Sequence, residues 1–505
     1  MRFLLVCANQ LKHPWPVIPF GACCVAEAAL AAGHATQVLD LMFVRDCARV
    51  IADAIAAFKP DVVGVSIRNI DNCYGFKVLP FITETRDKVI DPIKKTFTGP
   101  IIIGGPAVGI NPAEMLAFFD LEYAAIGDGE KVMVDFLAAV AAMEDPAGST
   151  GLLVRRNDSF LAPRGPCRIA NLDDFPMPRI HELIDLKTYR KYDAHLQVQT
   201  KRGCALACCY CTYNRIEGRT YRLRDPQAVA DHVALVAAAT GIDHFEFTDS
   251  TFNIPLDHAK KVLRAIIAKK MKLRLRTMGL NPAAVDEELA DLLREAGFME
   301  VDLGVDAVSD TALKGLGKNF TVPDILRATA LLRSRRIPLN WFLLLGAPGE
   351  TEETVRQTLA AVAHHLGRWN FATTGIGLRV YNGAPIAEHL LMENPGCSPD
   401  RFLTPVTYEP PGISLEKIDV LTALAATRRP NILRFSPEEA GPLWLVRLGA
   451  ILAKIFMPRQ PLWRAKIALN YLPIITGVNL LRRMALRKKL REMDSQKVRW
   501  TPENR

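Results

Sequence analysis

Short apolar runs alternate with longer amphipathic stretches through most of the chain. In residues 1–145 these runs are rich in β-branched and aliphatic residues, which is typical of buried strands. They predict five strands, at residues 3–7, 36–41, 61–67, 100–103 and 121–126. Because strands that alternate with helices usually form parallel sheets, this region predicts a doubly wound, Rossmann-like α/β domain.

A second alternating series follows a connector at residues 146–196, which is richer in proline, glycine and charge. Its apolar runs predict six strands, at residues 196–200, 242–248, 273–278, 300–305, 339–345 and 374–380. Six βα units are fewer than the eight of a closed barrel. Residues 197–400 therefore predict a partial (β/α)6 barrel.

The alternation stops near residue 400, and residues 401–505 have the composition of a helical, basic extension. Residues 443–491 contain eleven Lys or Arg and no Asp or Glu. Because the whole chain has a net charge of +9, the residues outside this segment have a net charge of about −2. Helices that mix cations with aromatic and aliphatic residues favour contact with an anionic membrane surface. The apolar residues are Trp444, Ile451, Leu452, Ile455, Phe456, Trp463, Leu472, Ile474, Leu480 and Leu481.

Two alternatives to membrane contact were considered for this extension. Its basic residues could face water while the apolar ones cap the barrel. Nucleic-acid binding is disfavoured, because the extension has no recognised module and is too apolar for a solvated phosphate-binding arm. No apolar stretch of about 18 residues or more predicts a membrane-spanning helix.

The composition is that of a folded, reduced protein. At 505 residues, with 49% hydrophobic and 23% charged residues, the chain can form two or three domains. Its eleven cysteines show a single tight group, which disfavours a disulfide scaffold and favours the cytoplasm. The apolar run at residues 1–8 is too short for a signal-peptide core and predicts a first buried strand.

That tight group carries the clearest chemistry. Cys204, Cys208 and Cys211 form a C-x3-C-x2-C pattern in the loop after the first barrel strand. A cubane cluster normally has four thiolate ligands, so three in one loop leave one iron open. The alternatives are a zinc site that uses Cys209 as the fourth ligand, and ordinary buried cysteines. Adjacent Cys208 and Cys209 fit one tetrahedral metal poorly, which favours a [4Fe–4S] cluster.

The cysteine spacing, the aromatic Tyr210 before the third cysteine and the six βα units resemble the radical S-adenosylmethionine (SAM) superfamily. This resemblance implies that SAM binds the open iron and is cleaved to a 5′-deoxyadenosyl radical. It also implies an external reductant of the flavodoxin or ferredoxin type.

The resemblance suggests five SAM-binding residues. Besides Tyr210, it implies Asp249 and Asn253 near the SAM amino group and Asp306 near the ribose. Arg276, on the third strand, could reach the SAM carboxylate. Each of these is also compatible with an ordinary strand end, and Arg276 with an unpaired strand-end arginine.

A doubly wound sheet before such a barrel resembles the cobalamin-binding radical SAM enzymes, over residues 1 to about 385. The residues expected at the cobalamin are Ser66, Arg68, Asn69, Gly104, Gly105, Gly127 and Glu130. A Gly-Gly turn lets the backbone approach a bulky ligand. The D-x-H-x-x-G element, which supplies a histidine ligand to cobalt in other cobalamin proteins, is absent, so we expect no histidine ligand from that motif. The resemblance implies that Arg68 or Asn69 would face the cobalt. The alternative is that Arg68 is an ordinary surface or loop residue.

As the resemblance implies, the expected activity is methylation of an unactivated carbon through methylcobalamin and a 5′-deoxyadenosyl radical. A rearrangement, ring-forming or coupling reaction without methyl transfer is the alternative enzyme function. A non-catalytic corrinoid carrier or a membrane-bound interaction protein is disfavoured by the intact three-cysteine loop. We expect a small-molecule or lipid-like substrate, no nucleic-acid partner, and a cytoplasmic protein with peripheral contact at the inner membrane face.

Overall fold

The computed structural model describes residues 1–12, 16–72, 80–157, 159–192, 194–393, 403–434 and 473–498. The first domain is built on one seven-stranded sheet with the order β2-β1-β3-β4-β5-β6-β7. Its strands are β1 Arg2–Cys7, β2 Ala35–Asp40, β3 Val62–Ser66, β4 Ile101–Gly104, β5 Tyr123–Ala125, β6 Leu152–Arg156 and β7 Ser159–Leu161.

Strands β1 to β5 are parallel and correspond to the five predicted strands. Five consecutive residues of β1 are buried, as expected for a parallel strand covered by helices on both faces. Strands β6 and β7 are antiparallel and extend the sheet at its edge. They lie in the segment predicted as a connector, whose short strands give too little alternation to be recognised. The helices are Phe20–Ala31, Cys47–Phe58, Ile82–Thr85, Asp91–Thr96, Pro106–Ile110, Pro112–Phe119 and Gly129–Ala142.

The second domain is a parallel half-barrel. Two sheets, β12-β11-β8 and β13-β14-β15-β18, are joined by the bridges Leu275–Phe298 and Leu280–Leu303. The strands are β8 Leu196–Val198, β9 Lys201–Arg202, β10 Arg222–Leu223, β11 His244–Phe247, β12 Arg274–Thr277, β13 Val301–Asp306, β14 Leu339–Leu345, β15 Phe371–Ile376, β16 Leu378–Val380, β17 Val406–Tyr408 and β18 Ile432–Arg434. The six predicted barrel strands are all present.

Two details differ from the prediction. The run at 374–380 is broken at Gly377, whose φ is +79°, so β15 ends there and β16 pairs antiparallel with β17. In addition, β18 adds a seventh parallel strand beside β15, within the region predicted as a helical extension. A three-residue strand shows no usable periodicity, and its place is set by contact with β15.

Helices flank the barrel strands on their outer side, as the amphipathic stretches predict. The longer ones often begin with a side-chain cap; Asp225, for example, accepts a hydrogen bond from the backbone N–H of Ala228. The helices are Tyr213–Ile216, Pro226–Thr240, Leu256–Ala268, Glu287–Ala296, Asp310–Gly315, Val322–Ser334, Glu352–Ala361, Pro385–Glu393, Leu415–Arg428 and Pro473–Val498. Shorter helical segments in the connector are Leu172–Asp174, Ile180–Leu183 and Leu186–Lys191.

The two domains share buried contacts. The apolar core of the barrel continues into Phe20, Cys23 and Cys24 of the first domain. Helix Tyr213–Ile216, after the cysteine loop, packs on helix Pro106–Ile110, after the Gly-Gly turn. The carboxyl edge of the first sheet therefore faces the cysteine loop of the barrel.

The basic extension is described only in part. Its helix Pro473–Val498 packs along helix Leu415–Arg428, and Lys417 bridges Glu352 and Asp494 at 2.5 Å each. Of the apolar residues named above, only Leu480 and Leu481 have described side chains, and both are exposed. The other eight lie outside the described side chains, so the two interpretations of the extension stay predictions. In the described ranges, no helix is long and apolar enough to span a membrane.

Candidate functional site

The three cysteines of the motif line one cavity. Cys204, Cys208 and Cys211 border a space of about 180 Å³ at the carboxyl ends of the barrel strands. Gly203 makes the turn possible, because its φ is +94° and a Cβ there would lie 2.1 Å from the Thr220 carbonyl oxygen. The Cys204 backbone N–H donates to the Gly218 carbonyl at 2.9 Å. The loop is therefore held by backbone contacts before any ligand is added.

Cys209 is not among the residues that line this cavity. Its N–H donates to the Leu316 carbonyl, its carbonyl accepts from the Ile386 N–H, both at 2.9 Å, and its side chain packs against the barrel core. Burial raises the pKa of the Cys209 thiol to about 11. The structure thus gives this residue a packing position and does not bring it to a fourth-ligand position. Within the described ranges, no group of three or more His, Cys, Asp or Glu side chains surrounds a single metal-ion position.

Two of the three cavity thiols have pKa values that burial raises. Burial raises the pKa of Cys211 to about 12 and also raises that of Cys208, which the nearby Lys318 ammonium opposes. Metal binding must then displace the protons, since thiolates are the ligands. Three thiols on one cavity wall fit a cubane cluster with one open iron.

A buried polar triad forms the wall beside Cys208. The Tyr210 hydroxyl donates to Asp306 Oδ2 at 2.7 Å and accepts from Lys318 Nζ at 2.9 Å, and Lys318 also pairs with Asp306. Asp306 has a φ of +57°, a conformation that is costly for a non-glycine residue and common at functional sites. Tyr210 and Asp306 thus lie in the cavity wall, as their predicted roles require. Lys318 was missed, since a lysine after a short helix carries no sequence signal.

Asp249 and Asn253 are not on this wall. Asp249 accepts hydrogen bonds from the Thr200 N–H at 2.8 Å, the Thr200 hydroxyl at 2.7 Å and the Lys201 N–H at 3.2 Å. Asn253 is fully buried and bonds the 281–284 turn. The structure uses both side chains to hold the backbone around the cavity. The residues between them that do line it are Ser250 and Thr251.

Arg276 is neither unpaired nor directed at the cavity. It lies inside the barrel among Glu300 at 3.0 Å, Asp302 at 3.6 Å and Glu246 at 3.9 Å. These carboxylates hold the pKa of Arg276 above its usual value despite complete burial. The expectation that it reaches a SAM carboxylate is therefore not supported by its contacts. Strand pattern alone does not reveal three partners on two other strands.

Two exposed apolar side chains line the cysteine cavity. Met278 directly follows strand β12 and is 53% exposed, and Phe342 lies in strand β14 and is 38% exposed. Both line the cysteine cavity together with Gly304. Large exposed apolar side chains inside a cavity usually mark a ligand surface.

A second cavity lies at the carboxyl ends of β1 and β3 in the first domain. Its volume is about 270 Å³, near the lower end of the range for ligand pockets, and Arg68 and Asn69 line it. Gly105 lies next to this edge with φ +104°, and a Cβ there would be 2.6 Å from the Ile67 carbonyl oxygen. Ser66 and Gly104 are register partners on β3 and β4. The lining of this cavity mixes amide, cationic and apolar groups.

Gly127 and Glu130 have a different place. Glu130 is buried and forms two hydrogen bonds with Arg202, one of them at 3.0 Å. Gly127 has φ +97° and packs against the Cys167 carbonyl. This turn therefore joins the first domain to Arg202, two residues before Cys204, and its side chains are not in the lining of the second cavity.

The chain is similar in sequence and in fold to known proteins. The family model described as Radical SAM superfamily matches residues 198–362. The chain is 27% identical over 414 residues to tryptophan 2-C-methyltransferase of Streptomyces laurentii, which covers 70% of this chain and 68% of that protein. It also resembles the radical SAM methyltransferase TsrM of Kitasatospora setae in its structure with tryptophan and a SAM analogue (TM-score 0.73, 27% identity, 81% and 86% coverage).

A second structure of TsrM, with cobalamin and a [4Fe–4S] cluster, aligns over nearly the whole chain. Its TM-score is 0.79 at 23% identity, and the match covers 98% of this chain and 99% of that one. The similarity in fold thus includes the first domain as well as the barrel.

Proposed function

We propose that this chain, a radical SAM enzyme, is a cobalamin-dependent methyltransferase that acts on an unactivated carbon of a small molecule. One observation carries the proposal: three cysteine thiols line a single cavity that faces the carboxyl edge of a second, doubly wound domain. The relatives with the same two-domain fold include named methyltransferases.

The chain offers separate places for the cofactors. Cys204, Cys208 and Cys211 would hold the cluster, with Tyr210 and Asp306 beside it. Ser250 and Thr251 are better placed for SAM than Asp249 and Asn253, because only the former line the cavity. When bound, the cluster supplies the electron that cleaves SAM, and cobalamin carries the methyl group.

Arg68 and Asn69 would lie against the cobalamin. They line the cavity of the first domain. Burial raises the pKa of Glu246 in the barrel, and Arg68 is close enough to this carboxyl to oppose the shift. A cation at this position would disfavour coordination of the cobalt by a protein side chain. We expect Arg68→His to change the absorption spectrum of bound cobalamin and Arg49→His, on the outer helix Cys47–Phe58, to leave it unchanged. An unchanged Arg68→His spectrum would remove this assignment.

The first experiment is a cofactor count on anaerobically produced protein from a cobalamin-supplied host. We expect about one cobalamin and one cluster per chain. A filled cluster without cobalamin would contradict the proposed methyl transfer, because the chain would then lack the group that carries the methyl.

The second experiment follows the methyl group. The enzyme, with flavodoxin and its reductase as electron donor, is incubated with methyl-labelled SAM and either tryptophan, the compound named for the relative, or a panel of small apolar molecules. Label in the product supports methylation. SAM consumption with an unlabelled, altered product would favour the rearrangement, ring-forming or coupling alternative.

Membrane contact and a lipid-like substrate are a further part of the proposal. The described end of the basic extension exposes Leu481 and Met484 beside basic residues on helix Pro473–Val498. Such a surface favours an anionic interface. We expect the full chain to sediment with anionic liposomes at low salt and to stay in solution with neutral ones. Equal sedimentation with both would contradict electrostatic binding, and none with either would contradict membrane contact.

A further inference from the structure

A fully buried lysine lies directly before the cysteine loop. Lys201 has no exposed surface, and its ammonium has no hydrogen-bond partner among the described residues. Burial of an ammonium without a partner costs several kcal/mol, so such a group normally serves a ligand or a nearby anion. Burial raises the pKa of Glu217 and the nearby Lys201 lowers it, so this carboxylate lies within reach of the lysine's charge. Glu217 accepts from the Gly203 N–H at 3.0 Å and from Gln199 at 3.3 Å, and it forms no hydrogen bond with Lys201.

The ammonium lies over an aromatic ring. Lys201 Nζ is 5.5 Å from the ring centre of Tyr221, within the range of a cation–π contact. The Tyr221 hydroxyl is also buried and has no hydrogen-bond partner in the described part of the chain. It lies beside the Cys204 thiol and the Ala205 peptide without reaching hydrogen-bond geometry to either. The Lys201 ammonium and the Tyr221 hydroxyl, both buried and without a hydrogen-bond partner among the described residues, thus lie in line with the Cys204 thiol.

Backbone pairing sets this arrangement. Strands β9 and β10 are antiparallel, with Lys201 opposite Leu223 and Arg202 opposite Arg222. The N–H of Cys204 is bonded to the Gly218 carbonyl on the same returning segment that carries Tyr221. Because a hairpin with register fixed at both ends leaves little freedom, the lysine and the tyrosine are held where they lie.

We propose that the Tyr221 hydroxyl donates a hydrogen bond to the Cys204 sulfur in the cluster-loaded protein, and that Lys201 places a buried positive charge behind its ring. Lys201 acts as a positioning residue and Tyr221 as the contact to the cluster ligand. Reduction adds one electron, supplied by the external reductant, and hence one negative charge. A hydrogen bond to a ligand sulfur and a nearby cation both stabilise that charge and raise the reduction potential.

This inference rests on the cluster of the proposed function but not on methyl transfer. It is tested by redox titration of the anaerobically reconstituted full chain, with the reduced cluster followed by electron paramagnetic resonance. We expect Tyr221→Phe and Lys201→Met each to disfavour reduction at least tenfold, which for a one-electron couple lowers the midpoint potential by about 59 mV. Iron and sulfide per chain are measured in the same samples.

Two matched controls make the comparison specific. Tyr189→Phe removes another buried hydroxyl, which donates to Asp40 at 2.7 Å, and Lys260→Met removes a lysine paired with Asp286 and Glu288. Neither group approaches the cysteine loop through the contacts described, so neither should change the potential.

A loaded Tyr221→Phe cluster with an unchanged potential would overturn the inference. Should Lys201→Met fail to fold, the Tyr221→Phe measurement decides alone, because that change only removes a hydroxyl. The titration needs no substrate and no cobalamin, so its outcome is separate from that of the proposed function. An enzyme that transfers methyl groups but shows equal potentials would lose only this inference.

Discussion

Cys208 and Cys209 are adjacent in sequence but have opposite environments. Cys208 lines the cluster cavity, whereas Cys209 packs against the barrel core with both backbone groups bonded. We therefore expect Cys208→Ala to abolish cluster assembly and Cys209→Ala to retain it. The measurement is iron and sulfide per chain after anaerobic reconstitution. Loss of the cluster in both variants would support the zinc-like alternative with Cys209 as a ligand.

The buried charges inside the barrel predict a pH dependence of stability. Burial raises the pKa of Asp302 to about 7, with Arg276 opposing the shift. A raised folded pKa means that the neutral form is favoured in the folded state, so this contribution is complete below about pH 4 and is lost as the pH rises through 7. The side chain of Asp302→Asn stays neutral at every pH. The melting temperature of this variant relative to the natural protein should therefore rise from pH 5 to pH 8. The corresponding difference in the free energy of unfolding should grow by at most about 1.4 kcal/mol per pH unit.

Asp291→Asn is the matched control for this measurement. The hydrogen bond from Arg335 lowers the pKa of exposed Asp291, so this carboxylate is ionised in both the folded and the unfolded state between pH 5 and 8. Its substitution should therefore shift the melting temperature equally at both pH values. A flat difference for Asp302→Asn would show that Asp302 is ionised in the folded protein.

At the scale of elements, the cysteine loop depends on its neighbouring turn. Gly317, after helix Asp310–Gly315, has φ +68°, and a Cβ there would lie 2.6 Å from the Ala207 carbonyl oxygen. Gly241 has a similar φ of +65°, but nothing lies within 4 Å of its Cβ position. These two glycines separate the cost of backbone conformation from the cost of a clash with the loop.

We expect Gly241→Ala to cost about 1 kcal/mol through its backbone conformation alone and to keep a full cluster. Gly317→Ala should cost more, because the loop must move away from the added methyl group, and should lower iron binding. Melting temperature and iron content are measured on both variants. Equal losses would mean that the loop does not rest on this turn.

At the scale of the whole molecule, a buried ion pair joins the two domains. Arg202 bonds Glu130 at 3.0 Å and pairs with Asp128 at 3.2 Å, and Arg222 also pairs with Asp128. Removal of one partner of a buried pair leaves an uncompensated charge, which typically costs about 3–5 kcal/mol. Since Arg202 lies two residues before Cys204, the same contacts align the cluster loop with the first domain.

Glu130→Ala should therefore lower the melting temperature strongly and make the connector more sensitive to limited proteolysis. Asp135→Ala, which removes a partly exposed pair with Lys131 on the next helical turn, should cost less than about 1 kcal/mol. Similar effects of the two substitutions would show that the domains do not depend on the Glu130 contact.

The sequence by itself determined the longer strands and the group of three cysteines that line one cavity. Local runs of apolar residues indicate buried parallel strands such as β1 and β14, and the three cysteines proposed as cluster ligands, Cys204, Cys208 and Cys211, lie within one loop. Both signals depend only on residues that are close in sequence, so periodicity and spacing suffice to identify them. The shorter β7 and β18 carry no such periodicity and take their places by pairing with other strands.

Only the tertiary structure decided what each polar side chain does. Glu130 and Arg202 are 72 residues apart, Tyr210 and Asp306 are 96 apart, and Asp249 meets Thr200 across 49. A buried charge pairs with a polar or oppositely charged group that the packing of strands and helices places beside it, because burial of an unpaired charge is costly. No local pattern encodes such pairs, so the partners of Glu130, Asp249, Arg276 and Lys318 became visible only in three dimensions. The same holds for Lys201, whose ammonium has no hydrogen-bond partner in the part of the chain that the structure describes.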